Sequence, residues 1–397
     1  MLASRVPAFC RHLWMGARVA IVAAALGACA GVQPQGDFGT PVQPSTSAPE
    51  QPAAVGDGEI KIGLLLPMSA SGNAGEAARA MKNAAEMALV EFKAPNIQLL
   101  VKDTGGTSGG AQQAAQQALG EGAQIIVGPL FAQSVRTVGS VARAAGKPVI
   151  AFSTDSSVAA PGVYLLSYLP EADVDRIVEY ATSNGKRSFV ALLPDNAYGT
   201  VVEGAFQQAV SRHGGNVVGL QKYPADPARR QSAVTAIAQS AKQADAIFIP
   251  DGQDAAGLAQ ALAAAGVNMR QVQLLGTGLW DDPSVSKNAA LQGAWYAAPD
   301  PSGFRSFASR YRRRYGSDPV RTASLAYDAV TLVAALVKTQ GAQSFSDSVL
   351  TASSGFAGTE GLFRFRADGT SERGLSIMRV SPSGAAPISP APRAFGS

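Results

Sequence analysis

The chain is predicted to be an α/β protein with two parallel sheets, each covered by helices on both faces. Two observations lead there. Apolar strand-like runs alternate with stretches of helical periodicity along the body of the chain. Those runs number about ten, better divided between two sheets than placed in one. Ile60 to Leu66 reads as a buried strand ending at Pro67. The helix after it carries Met81, Ala84, Ala85, Ala88, Leu89 and Phe92 at helical spacing, with Lys82, Asn83 and Glu86 outward. Ile97 to Val101 is the second strand, and Ala111, Ala114, Ala115, Ala118 and Leu119 form the stripe of its helix. Gln124 to Val127 and Val149 to Phe152 continue the series, joined by a helix around 135–145. A second series follows in Phe189 to Leu193, Val217 to Leu220, Ala246 to Ile249 and Gln273 to Leu275, with helices near 200–212, 230–242 and 254–265.

The ends differ in composition from this body. Arg5, Arg11 and Arg18 precede the apolar run Val19 to Ala28, the charged, apolar, small-residue order of a secretory signal. That run is about half of the roughly 20 residues needed to span a bilayer, which argues against a permanent membrane helix. Leu26-Gly27-Ala28-Cys29 resembles the lipobox of bacterial lipoproteins, which implies a lipid on Cys29 and a signal peptide over 1–28. Cys10 would leave with the signal, so internal disulfides and cysteine metal sites are excluded. The three arginines before Cys29 account for most of the basic excess of 33 over 29, leaving 30 basic against 29 acidic residues. No pull toward nucleic acid follows. Residues 29–58, rich in Pro, Gln and Ser, read as a flexible tether, and 381–397 as a disordered tail.

The loops after the strands are the candidate binding surface, since ligands of open parallel sheets sit beyond the carboxyl ends of the strands. They are 67–72, 128–134 and 153–157 in the first sheet, and 194–199, 250–254 and 276–281 in the second. All are small or polar, and several run into helices whose free N–H groups suit an anion.

Several motifs then follow one another in a known order: Ile60 to Pro67, Ile126-Val127-Gly128-Pro129-Leu130, Lys147 to Ser153, Asn196-Ala197-Tyr198-Gly199 and Leu325 to Val330. Over 59–380 the chain resembles the type I periplasmic binding proteins of the leucine/amide-binding branch. The resemblance implies two Rossmann-like lobes, 59–168 plus 296–340 and 169–295 plus 341–380. Three hinge crossovers would join them near 168–171, 292–296 and 340–358, with closure on a small polar ligand. A late hairpin is expected between Gly361 to Phe365 and Ile377 to Val380. The resemblance further implies an ammonium-binding acid at the position of Gly278, a tyrosine at Tyr198 and hydroxyls in two early loops, one matched by Ser157 and the other falling at Ala132, with Ser134 two residues on; Ser69, in the loop after the first strand, is a further candidate. With glycine at 278, Asp155, Asp251 or Asp281 would replace the acid. An ABC permease is the partner this implies.

Gly278-Leu279-Trp280-Asp281-Asp282-Pro283 and Gly293 to Asp300 also resemble lipoproteins that activate penicillin-binding proteins, which implies a peptidoglycan synthase as the alternative partner. Trp280 is then a cleft wall or a partner contact, or else a packed aromatic at a strand end. Ala30 after the anchor, by the lipoprotein sorting rule, favours the outer membrane facing the periplasm.

Enzymatic readings find little support. Gly106-Thr107-Ser108-Gly109-Gly110 formally matches a nucleophile elbow, but the one histidine beyond the signal, His213, sits in a helix-stop sequence. No cofactor motif and no histidine metal cluster is present in the sequence. The basic run Arg310 to Tyr315 reads as a solvated face, with Phe304, Phe307, Ala308, Tyr311 and Tyr315 on the buried stripe.

Overall fold

The computed structural model describes residues 54–93, 96–341 and 344–395. The signal segment, Cys29 and most of the expected tether lie outside the described residues. The first lobe opens with β1 (Ile60–Leu66), α1 (Asn73–Phe92), β2 (Ile97–Asp103), α2 (Ser108–Gly120), β3 (Ile125–Val127), α3 (Ala132–Ala144), β4 (Val149–Ala151) and β5 (Val163–Leu165). The chain then enters a second lobe through α4 (Pro170–Ser183), β6 (Ser188–Pro194), α5 (Ala197–Arg212), β7 (Asn216–Tyr223), α6 (Pro227–Gln243), β8 (Ala246–Phe248), α7 (Gly252–Ala264), β9 (Gln273–Gly276), the short α8 (Pro283–Ser286) and β10 (Trp295–Ala298). It returns through α9 (Pro301–Tyr315), α10 (Ala323–Gln340), α11 (Asp347–Leu350), β11 (Phe356–Gly358), β12 (Gly361–Phe365) and β13 (Ser371–Arg373). It ends with β14 (Ser376–Arg379) and β15 (Ala386–Ser389).

The two parallel sheets repeat one strand order. The first runs β2-β1-β3-β4-β5, and the second contains β7-β6-β8-β9-β10. In each, the first strand of the unit lies between its second and third, so the loops after β1 and β3, and after β6 and β8, flank a topological switch point. Both sheets are buried on both faces. In the first, Leu64 and Val127 pack under α1 and α10, while Leu65 and Ile126 pack under α2 and α3. The second divides likewise, with Leu192 and Ile247 on one core and Phe189, Ala191 and Phe248 on the other.

Five expectations about the ends of the lobes and of the body are corrected. β10 hydrogen-bonds to β9, so the chain leaves the second lobe between Ala298 and Pro301 and not at 292–296. Leu350, Phe363 and Phe365 join the first core, so the last crossing lies between Arg373 and Ser376 and not at 340–358. The physical reason is that the aromatic side of β12 finds its apolar cover on the first sheet. The expected late hairpin does not form, because β12 turns at Asp368-Gly369 into β13 while β14 pairs antiparallel with β10. The stretch expected as a disordered tail contains β15, which pairs with β14 and packs Ile388 against the second core. At the other end Val55, expected in the tether, exchanges both backbone hydrogen bonds with Leu99 at 3.0 and 2.8 Å.

Candidate functional site

The first-lobe loops present a shallow, half-exposed polar surface. Ser69 is exposed, and its N–H donates to Asp103 Oδ1 at 3.3 Å, which also takes the Gly105 N–H at 2.8 Å. Burial raises the Asp103 carboxyl, but the bonds from Ser69 and Gly105 outweigh it and hold the group below its ordinary value. Asp155 caps the turn beneath it by accepting from Ser157 N at 3.0 Å. Arg136 reaches over from α3, donating to Ser157 Oγ at 3.0 Å and lying 3.8 Å from Asp155 Oδ2. Ser134 does not join this surface. It is buried within α3, its Oγ 3.5 Å from the Thr107 carbonyl. Thr107 is itself the N-cap of α2, bonded by Gly110 N at 3.0 Å, so the Gly-x-Ser-x-Gly string is a helix start.

The second-lobe loops are knitted together. Thr277 donates its hydroxyl proton to the Pro250 carbonyl at 2.8 Å, so the Tyr198 hydroxyl, 3.2 Å from Thr277 Oγ1, is the donor of that pair. Burial raises the Tyr198 phenol, eased by Thr277 and reinforced by Asp173 and Asp251. Asp251 caps α7 through Gln253 N at 2.9 Å and accepts from Tyr223 at 3.4 Å.

Trp280 is fully buried. It packs on Gly276, where a Cβ would meet its ring at 2.3 Å, and beside Tyr296 in the second core. The expectation of a cleft wall or partner contact is therefore corrected: Gly276 opens the slot and the indole fills it. Asp281 turns toward the other lobe, accepting from Tyr296 at 3.0 Å and from Arg321 at 2.6 Å.

Five residues that sequence reasoning passed over form the polar centre where the lobes join. Arg321, just ahead of α10, donates Nε and Nη2 to Glu360 Oε2 at 3.0 and 2.6 Å, and its Nη1 crosses to Asp281. Glu360 is 1% exposed, and its other oxygen accepts from Ser324 at 2.9 Å and from Tyr168. Arg373 donates Nε to the Ser167 carbonyl at 3.0 Å and lies over the Tyr168 ring. Asp173, in the first turn of α4, accepts from Gly278 N at 2.9 Å. Burial drives its carboxyl up to about 7, opposed by the Gly278 bond, Arg321 and Arg373. Asp328 is raised by burial to about 6, although Thr359 donates to it from N at 2.8 Å and from Oγ1 at 2.6 Å. In sequence each of these looks ordinary: Asp173 is an acid favouring a helix N-terminus, and Arg321 is a polar residue before a helix.

A cavity of about 760 Å³ lies among α4, α5, β13 and the segment after β15, and it contains Ser156 alone of the six strand-end loops. Among the described residues, no group of three or more His, Cys, Asp or Glu is arranged to hold a metal ion. No helix among them is long and apolar enough to cross a membrane.

The family model for periplasmic binding proteins matches residues 59–385. The chain belongs to the periplasmic binding protein family. Solved structures of similar fold include a protein assigned to a branched-chain amino acid ABC transporter of Rhodospirillum rubrum, 21% identical, with a TM-score of 0.72 over 83% of this chain and 99% of that one. A branched-chain amino acid ABC transporter periplasmic ligand-binding protein of Burkholderia xenovorans is 18% identical, with a TM-score of 0.68 over 85% and 96%. A solute-binding protein of an ABC transporter from Rhodopseudomonas palustris, in complex with 3,4-dihydroxybenzoic acid, is 19% identical, with a TM-score of 0.58 over 84% and 96%. No curated protein sequence shows a significant match. At these identities the solved relatives speak for the fold, which is that of the two-lobed type I periplasmic binding proteins.

Proposed function

We propose that this member of the periplasmic binding protein family is a non-enzymatic solute-binding protein. It closes its two lobes on a small polar ligand of the amino acid or amide class and presents that ligand to an ABC permease. The observation that carries this reading is the duplicated sheet, whose strand-end loops and the helices that follow bring Tyr198, Thr277, Asp173 and Asp251 together in one lobe and Arg136, Asp155 and Ser157 in the other. The chemistry on offer is recognition: hydroxyls, a guanidinium and carboxylates, without a nucleophile–base pair among them. The exposed apolar residues Phe131 and Leu279, 38% and 53% exposed, belong to loops of opposite lobes and suit a ligand with an apolar body. The sequence signal and Cys29 favour a lipid-anchored periplasmic protein, and Ala30 favours the outer membrane. With Trp280 sealed in the core, the resemblance to cell-wall synthase activators loses the residue expected to touch the synthase.

Calorimetric titration of the purified protein with amino acids, amides and aromatic acids tests the reading. Micromolar binding of a ligand, weakened at least about tenfold by Tyr198→Ala, is expected. Absence of binding across all three classes refutes it.

A further inference from the structure

Two guanidiniums stand where the lobes join, and they are engaged to different degrees. Arg321 already spans the lobes, bonded to Glu360 on its own side and to Asp281 on the other. Arg373 ends β13, just ahead of the last crossing, and donates Nε to the Ser167 carbonyl at 3.0 Å. The Tyr168 and Phe363 rings lie 4.8 and 5.7 Å from its guanidinium carbon. Nη1 and Nη2 have no hydrogen-bond partner, although the residue is only 7% exposed. A buried cation without a counter-charge is among the costliest arrangements a fold can hold.

The shortage is local. Among the described residues seven buried side-chain polar atoms lack a partner, and four of them belong to Arg373, Ser371 and Glu171. All three residues line the cavity of about 760 Å³. Ser371, two residues before Arg373, shares its face of β13. Glu171, the second residue of α4, accepts from Ser156 through Oε1, and Oε2 is the unpartnered atom.

The other charges lining the cavity balance one another. Arg176 pairs with Glu179 at 2.9 Å, Arg212 with Asp175 at 2.7 Å and Arg366 with Glu372 at 3.1 Å. Asp368 is held within its own turn by Thr370. One cation and one anion remain, and they belong to opposite lobes. Arg373 lies on the strands that cover the first core, and Glu171 on the helix that packs on the second. A visiting ion of either sign would satisfy one and leave the other, whereas each is the counter-charge of the other. Asp173 and Asp328 also face Arg373, from α4 and α10. Asp173 is held by Gly278 N and Asp328 by Thr359, and neither lines the cavity.

We infer that Glu171 and Arg373 are the two halves of a latch across the hinge. When the lobes rotate so that α4 and β13 approach, Glu171 Oε2 takes the Nη groups of Arg373 and the cavity between them shrinks. Glu171 follows the first crossing and Arg373 precedes the last, so hinge rotation is the motion that changes their separation. The latch rests on the two-lobed fold and on nothing bound in the crevice.

The test is the distance between one spin label on each lobe of the full chain, without added ligand. Cys10 and Cys29 are its only cysteines, so with both changed to serine, labels at Gln116→Cys on α2 and Gln239→Cys on α6 report the two lobes alone. The parent is expected to show a second distance besides that of the arrangement described here. Glu171→Gln, which keeps an acceptor for Ser156, should lower the second population about tenfold or more, and Arg373→Gln should do the same. Glu179→Gln, in an exposed pair on the same helix, should leave both populations in place. Melting curves check that each variant folds, and if Arg373→Gln does not, Glu171→Gln decides alone. A distance distribution that Glu171→Gln leaves unchanged, or that Glu179→Gln alters as much, overturns the latch and leaves the solute-binding reading standing.

Discussion

The two faces of the crevice are built to different standards of rigidity. On the first lobe, Arg136 spans Ser157 and Asp155 with side chains 51% and 41% exposed at its ion pair, so solvent competes for every bond. On the second, Tyr198, Thr277 and the Pro250 carbonyl form a continuous chain of hydrogen bonds above a buried indole, and Asp173 and Gly278 close the same wall. The contrast teaches where specificity resides. A wall with its dipoles already aligned loses little entropy when a ligand docks, whereas the looser wall must be ordered by the ligand. On the proposed solute-binding reading, preorganised recognition would belong to the second lobe and adjustment during closure to the first.

Mutations can break or sharpen that contrast. The largest effect is expected beneath the rigid wall. Trp280→Ala should cost about 3–5 kcal/mol in urea unfolding, since Gly276 leaves the indole slot with no other filler. A cost below about 1 kcal/mol would show that the second wall is not anchored by its core. Next is the centre between the lobes. Glu360→Ala removes the buried partner of Arg321 Nε and Nη2, leaving that guanidinium its bond to Asp281, and takes away an acceptor of Tyr168 and Ser324, so a loss of about 3 kcal/mol or more is expected, measured the same way.

A pH effect of intermediate size separates Asp173 from the rest. Its folded value of about 7 lies above the unfolded 3.8, so the folded state holds the extra proton between them. The contribution of Asp173 to stability is then greatest below about pH 4, is lost as pH rises toward 7, and is flat above. Asp173→Asn should therefore melt a few degrees higher than the parent at pH 8, with the difference vanishing near pH 4. A variant that is less stable at pH 8 would mean that Asp173 stabilises the fold as an anion. Smallest of all, Arg136→Ala on the loose wall should change stability by less than about 1 kcal/mol and be insensitive to salt above physiological strength. A larger loss would erase the difference between the two walls.

Much of the framework was legible from residue pattern. β1 and β6 are apolar runs closed by proline or loop residues, and Tyr198-Gly199 stands where a strand has just ended and Asn196 caps the following helix. The same pattern could not say which sheet β10 would join or which core the separate β11-β12-β13 sheet would cover, because burying Tyr296 or Phe363 is equally favourable against either apolar face until register and chain reach decide. Ser134 was misplaced for a related reason. A hydroxyl in the first turn of a helix looks available, but rotation about the helix axis turned this one inward toward Thr107.

Local chemistry settled the elements themselves: which stretches become parallel strands, where helices start, and that polar loops gather beyond the strand ends. Those follow from interactions within a few residues and from the need to bury apolar surface on both sheet faces. The state of each carboxylate lay beyond its reach. Asp281 meets an arginine 40 residues away, and Asp173 meets a peptide N–H 105 residues away. Whether an acid is occupied or free depends on partners that only the packed chain brings within hydrogen-bond distance, and there burial sets the protonation that local sequence cannot encode.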